Sequence, residues 1–282
     1  MRLIGVDGCR AGWVVAESSL PADGSVSLPP PTFRIEQTFG GLLAALAETQ
    51  AMICVDIPIG LPSGHSQPHD DGRRLADLAA RAFLGGYRAS SIFSAPCRPT
   101  LASQTYRDSC ASEMKARGKK LSRQAFGIIP KIREVDDAIS PCHQQSPDGS
   151  ARVLIREVHP EVSFAMLRGH GERGHGLVAS KRGRPPARGA ATPGETERLA
   201  LLRPYIADLD LTCIRRDLIQ RHRAFQRERS EPASGPVVGR DDIVDAAACL
   251  VTAFRVARDH AVTFPDGPAQ TDARGLRMEI VA

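Results

Sequence analysis

Two short apolar runs, residues 2–7 and 51–56, each close on an aspartate, and this repeated ending constrains the chain more than any other feature. In Leu3-Ile4-Gly5-Val6-Asp7 and Met52-Ile53-Cys54-Val55-Asp56 the hydrophobic stretch has strand length and is unbroken until the acid. Runs of this kind read as strands buried in an α/β sheet. In open α/β sheets the carboxyl ends of the strands are the edge where ligands bind. If the two strands are parallel neighbours, Asp7 and Asp56 face one cleft.

The rest of the chain supplies elements to build around them. Gly8 to Gly12 forms a glycine-flanked turn into Trp13-Val14-Val15-Ala16, which completes a hairpin. Prolines at 29–31 precede a third strand over 32–35, and Leu42, Leu43 and Leu46 at helical spacing predict a helix. The opening order is therefore β-β-β-α-β. Strand signals then fade. Helical patterns over 73–84 and 131–139 predict a mostly helical insertion at about residues 65–150, closed by a polar loop. A strand resumes over 152–158, and His159-Pro160-Glu161 opens a helix with proline in its first turn. A basic, Gly/Pro/Arg-rich loop spans about residues 182–194, helices follow over 196–205 and 217–229, and residues 241–258 are strongly helical. A single domain over 1–282 is expected.

The longest apolar runs are interrupted by Asp56 and Asp245, so no transmembrane segment is predicted, and the first residues turn acidic too soon for a signal peptide. Seven scattered cysteines without a C-x-x-C pair suggest reduced thiols. A soluble, cytoplasmic protein is the expectation, with its oligomeric state left open. The formal charge is +5, but residues 168–227 alone carry 13 Lys or Arg against 6 Asp or Glu, so the excess is local and favours an anionic partner. The competing reading is an arginine-rich solvated surface, since only 5 of 37 basic residues are lysine.

Asp242 and Asp245 lie one turn apart on the last helix, whose other side carries Ile243, Ala247, Leu250 and Phe254. Negative charge is favourable at a helix start, which accounts for Asp242 but not for Asp245, beside the small residues 246–248. Carboxylates brought together repel unless a cation neutralises them, and a hard divalent cation prefers oxygen ligands. Asp7, Asp56, Asp242 and Asp245 are thus the catalytic and metal-binding candidates, with Mg²⁺ or Mn²⁺ as the ion.

The element order, with an aspartate on the first hairpin, another ending a later strand and D-x-x-D-A on a late helix, resembles the ribonuclease-H-like superfamily. Asp242-Ile243-Val244-Asp245-Ala246 is similar to the terminal helix motif of RuvC-type Holliday-junction resolvases. More closely, Gly5-Val6-Asp7-Gly8-Cys9-Arg10-Ala11-Gly12-Trp13, Asp56-Ile57-Pro58-Ile59-Gly60-Leu61-Pro62, Ser90-Ser91-Ile92-Phe93, Glu157-Val158-His159-Pro160-Glu161 and Asp241 to Ala246 together resemble the DUF429 family, a set of predicted RNase-H-fold nucleases. The resemblance implies a mixed five-stranded sheet flanked by helices. It also implies two-metal hydrolysis of phosphodiester bonds in DNA or RNA, with one cation activating water and the other stabilising the leaving oxygen. Ribonuclease H carries a carboxylate on its first helix, whereas this chain offers Glu48 near that place or Glu157 as a substitute, the alternative for Glu157 being a buried salt bridge.

Arg74, Arg81 and Arg88 recur every seven residues, so a continuous helix would set them on one face to grip phosphates. Pairing with Asp70, Asp71 and Asp77 is the competing reading. Arg10, just after Asp7, and Lys181, in the flexible loop, are further substrate-binding candidates. His159 is the most eligible general acid or base, against a structural histidine before proline. Neither a Rossmann fingerprint nor a Walker A sequence occurs. Two other functions stay open: a phosphotransferase or ATPase of the actin-like superfamily, and a non-catalytic nucleic-acid-binding protein.

Overall fold

The computed structural model describes residues 1–64, 72–86, 88–144, 151–169, 190–230, 237–268 and 270–282. Its centre is a five-stranded mixed sheet built from β1 (Arg2–Cys9), β2 (Gly12–Ser19), β3 (Thr32–Glu36), β4 (Ala51–Val55) and β5 (Val153–Glu157), in the order β3-β2-β1-β4-β5. The hairpin β1/β2 and the pair β2/β3 are antiparallel, while β4 runs parallel to both β1 and β5. The two apolar runs of the sequence are therefore parallel neighbours. Val6 lies opposite Val55, and the Asp56 amide donates to the Val6 carbonyl at 3.0 Å, so Asp7 and Asp56 leave adjacent strands at the same level.

Helix α1 (Phe39–Ala45) connects β3 to β4. Helices α2 (Leu75–Leu84), α3 (Tyr106–Arg117) and α4 (Arg123–Ala138) lie between β4 and β5, and α5 (Pro160–Gly169), α6 (Pro193–Leu202), α7 (Leu211–Glu228) and α8 (Arg240–Ala257) follow β5. Four two-residue strands, β6 (Thr263–Phe264), β7 (Gln270–Thr271), β8 (Arg277–Met278) and β9 (Ile280–Val281), pair as β6/β9 and β7/β8.

Alternation along the strands sorts the core into two layers. Leu3 and Cys9 of β1, with Met52 and Cys54 of β4, pack with α8 and with residues of α5, α6 and α7. Ile4, Val6, Ile53 and Val55 face the other way, onto Trp13, Phe39, Leu42 and the α4 residues Ile129 and Ile132. Helix α8 crosses β1, β2 and β4. Gly5 makes that crossing possible: a Cβ there would stand 2.1 Å from the Ala246 carbonyl oxygen and the Leu250 nitrogen. Residues 243–254 of α8 are all buried, so this helix is the central strut of its layer.

Several sequence expectations change in extent. The helix predicted over 73–84 starts at Leu75 and stops at Gly85, which takes φ +69°, a conformation suited to glycine. The helix predicted over 131–139 begins eight residues earlier, at Arg123, where the Ser122 hydroxyl accepts the Ala125 amide. Pro193 and Gly194, assigned to the basic loop, form the first turn of α6, where the Thr192 side chain accepts the Glu195 amide. Helix α3 and the four short terminal strands were not expected.

Candidate functional site

Period-two alternation fixes where the strand-end acids point. Asp7 follows Leu3 and Gly5 on the α8 side of β1, and Asp56 continues the Met52, Cys54 series on the same side of β4. Asp7 is buried within the last part of β1, and its Oδ1 accepts the Gly8 amide at 2.8 Å. Asp56 is half-buried just past β4. From α8, Asp245 is buried and Asp242 half-buried, the latter accepting the Gly239 amide on Oδ2 at 2.8 Å.

Two buried thiols register how these charges converge. Burial pushes the Cys249 thiol well above its ordinary range, and the charges of Asp56, Asp7 and Asp245 push it the same way. Burial likewise raises Cys9 to about 11, with Asp242 and Asp7 adding to the rise against Lys131 and an Ala11 amide hydrogen bond. The four aspartates, drawn from three elements separated by up to 238 residues of sequence, thus act on one corner of the fold, between the ends of β1 and β4 and the first turns of α8.

Their donor set is all oxygen, which fits a hard divalent cation in chemistry. Among the described residues no three His, Cys, Asp or Glu side chains are already grouped tightly enough to hold an ion. A small cavity of about 160 Å³ adjoins the corner, walled by Asp241, Asp245, Arg240 and Glu195.

Lys131 is the residue that sequence reasoning missed. It reaches from α4, in the opposite layer, to the end of β1: a Cβ on Gly8 would meet its Cδ at 2.7 Å, and its Nζ lies 4.2 Å from the centre of the Trp13 ring. Burial lowers its pKa, and the charges of Glu134, Cys9 and Asp7 oppose that fall. Helix periodicity could have shown that Lys131 lies off the 125, 129, 132 core stripe, but not that the stripe seats it beside Asp7. Arg10 stands exposed in the turn after β1.

The other sequence candidates lie elsewhere. Glu157 is buried in an ion pair with Arg74: Nη2 reaches Oε2 at 2.5 Å, Nη1 reaches Oε1 at 3.0 Å, and Oε2 also accepts the Ile59 amide at 2.6 Å. Its oxygens are thereby committed to the fold, the arrangement weighed against a metal role. Arg74 also binds Asp77 and the Ile59 carbonyl, so it ties the loop after Asp56 to β5 and α2. Arg81 donates to the Ile92 carbonyl, and Arg88 falls beyond the helix end, so the three arginines do not form a helical stripe. The His159 carbonyl accepts the amides of Val162 and Ser163 at the start of α5. Glu48 is exposed and pairs with Arg152. Lys181 lies outside the described residues.

The Glu157 pair carries a pH prediction. Burial penalises its carboxylate, Arg74 favours it, and burial wins, raising the pKa from 4.5 to about 7. The folded chain then holds the proton more tightly than the unfolded chain. The resulting stability is complete below 4.5 and is lost as pH rises through about 7. Relative to Glu157→Gln, the wild type should gain melting temperature between about pH 8 and about pH 5. A difference between the two proteins that stays constant with pH refutes the shift.

The sequence matches the family described as "Protein of unknown function (DUF429)" over residues 5–270, nearly its whole length. The chain belongs to the DUF429 family. Neither a curated protein nor a solved structure matches it.

Proposed function

We propose that this DUF429 chain is a divalent-metal-dependent nuclease that hydrolyses phosphodiester bonds in DNA or RNA by a two-metal mechanism. The observation that carries the reading is the convergence of Asp7, Asp56 and Asp245 on the buried Cys249, at the carboxyl edge of two parallel strands. Asp7 and Asp245 are buried and Asp56 is half-buried; gathering three like charges in one corner is unfavourable without a countercharge, and Lys131 is the nearby cation that the local electrostatics identify. Asp7, Asp56, Asp242 and Asp245 would hold Mg²⁺ or Mn²⁺. Bound there, the ions would supply an activated water and charge stabilisation for the departing oxygen.

The chain's own groups have separate tasks in this reading. Asp7 and Asp245 are set by buried backbone on either side of the Gly5 crossing, so their spacing is fixed by the fold. Asp56 and Asp242, at the edge, can adjust to the ligand. Lys131 meets the scissile phosphate from the α4 side, while Arg10 and the exposed arginines of α7, such as Arg216 and Arg223, contribute attraction for the polyanion. Among the described residues no helix is long and apolar enough to cross a membrane.

The test is a cleavage panel of single-stranded, duplex, hybrid and branched nucleic acids with Mg²⁺, Mn²⁺ or chelator. The reading requires cleavage of at least one substrate that depends on the metal; none with either ion refutes it. Lys131→Met sharpens it. Removing one charged group aimed at the reacting phosphate should slow cleavage about a hundredfold, while Mn²⁺ still raises the melting temperature of the variant as it does that of the wild type. Unchanged turnover in Lys131→Met removes this residue from the chemistry.

A further inference from the structure

A second cavity lies away from the acids, in the helical segment between β4 and β5. It measures about 670 Å³ and is bounded by Arg73 before α2, Arg81 within it, the turn at residues 90–94 and the α3–α4 junction. Five cationic side chains line it (Arg73, Arg81, Arg117, Lys119 and Lys120), and among the described residues no carboxylate does. Their roles divide. Arg81 is held by the Ile92 carbonyl and the Ser94 hydroxyl, and Arg117 by Glu113 and the Ala95 carbonyl, so these two shape the wall. Lys119 and Lys120 are exposed and lie just before Ser122, the cap of α4.

Ser90, Ile92 and Phe93 of the Ser90-Ser91-Ile92-Phe93 motif, which the acid site leaves unexplained, line the same cavity. Ile92 is buried and anchors Arg81 through its carbonyl, whereas Phe93 is 38% exposed, one of the few large apolar side chains turned to solvent. A cationic floor beside an exposed aromatic ring suits a ligand with a charged group and a flat one. A phosphate takes the lysines and a nucleobase takes the ring.

We propose that this cavity binds one nucleotide unit, its phosphate held by Lys119 and Lys120 and its base stacked on Phe93. The unit belongs either to a polynucleotide strand or to a free nucleotide. Ala125, on the cavity wall, precedes Lys131 by six residues of α4, about 9 Å of helix. A strand seated here is therefore within a few nucleotides of the acid corner. The assignment extends the nuclease reading but is measured without cleavage, so failure of one leaves the other readable.

The experiment is fluorescence anisotropy of labelled single-stranded DNA and RNA decamers with the full chain in EDTA. Phe93→Ala should weaken binding about fivefold to a hundredfold, the range for loss of one stacked base, and Phe93→Tyr should restore it. Lys119→Ala combined with Lys120→Ala should lower the slope of log affinity against log salt by about 1.4, two single-strand phosphate contacts' worth. Because all three side chains are exposed, melting temperatures should stay near wild type. Competition by a nucleoside 5′-monophosphate, beyond that of inorganic phosphate at equal ionic strength, supports a free-nucleotide site. Loss of binding in Phe93→Ala without such competition supports a unit within a strand. Equal competition by inorganic phosphate, or Phe93→Ala binding as wild type, overturns the proposal, as does an unchanged salt slope in the lysine variant.

Discussion

Gly5→Ala is expected to yield little or no folded protein. The added methyl would stand 2.1 Å from both the Ala246 carbonyl oxygen and the Leu250 nitrogen, and 2.8 Å from the Cys249 carbonyl carbon. All three are backbone atoms of a buried helix, so no side-chain rotation relieves the contact. Ordinary overpacking costs about 1–3 kcal/mol because neighbouring side chains shift. Here α8 itself must lift off β1, β2 and β4, which takes the cost beyond about 4 kcal/mol and the melting temperature down by roughly 10 °C or more. Gly8→Ala is the internal comparison. Its methyl would meet the Cδ of Lys131 at 2.7 Å, the flexible part of a side chain that can swing away. Circular dichroism melts of both proteins decide the matter: a Gly5→Ala variant that melts with the wild type contradicts the backbone crossing.

The same crossing shows why much of the sheet was legible in the sequence. An apolar run ended by an acid needs only local information to be read as a strand, and β1, β2, β4 and β5 lie where such runs occur. Helix α8 was legible because one face is continuously small or apolar over residues 243–254. Helix α3 was not, since its sequence Tyr-Arg-Asp-Ser-Cys-Ala-Ser-Glu-Met-Lys-Ala-Arg carries no apolar stripe. It is set by the Thr105 cap, by Gly118 in the left-handed conformation and by the buried pair Glu113–Arg117. The first half of α4 was hidden by Pro130 and Gly127, residues that normally argue against a helix interior. The terminal strands are two residues each, too short to display alternation.

The site was legible in part for the same reason. Asp7 and Asp56 follow from strand register, and Asp242 with Asp245 from helical spacing. Glu157 and Arg74 are 83 residues apart and find each other only through tertiary packing. The Glu157-Val158-His159-Pro160-Glu161 motif gains a structural account from this. Glu157 is neutralised by Arg74 from the loop before α2, and Glu161 pairs with the buried Arg198 of α6. Each buried acid ties β5 or α5 to a remote element, and breaking such a pair leaves an uncompensated charge inside. The C-terminal segment does similar work: the Leu61 amide donates to Asp272 Oδ2 at 3.0 Å, which pins the loop that follows Asp56. The corner where the four aspartates meet is thus supported by ion pairs that a sequence motif records without revealing their partners.

Asp7→Asn and Asp245→Asn should each abolish metal-dependent cleavage while leaving the fold intact. Both residues are buried, and asparagine keeps the shape and a carbonyl oxygen for the Gly8 amide that Asp7 now accepts. What it removes is a negative charge, and with it the electrostatic attraction that a hard cation requires. Loss of a group that merely orients a metal ligand costs about 10- to 100-fold in affinity or activity. Loss of the ligand charge itself should exceed a hundredfold. Without added metal the variants should melt at or above the wild-type temperature, because one of several converging like charges is gone. With Mn²⁺ the order should reverse, since an ion that binds only the folded state stabilises according to its affinity and the variants bind it weakly. Cleavage assays and melts with and without Mn²⁺ therefore test the same charge twice. Wild-type cleavage in both variants removes the acids from catalysis. A wild-type Mn²⁺ shift in both removes them from metal binding, and a corner of buried carboxylates would then need another countercharge, for which Lys131 is the residue already in place.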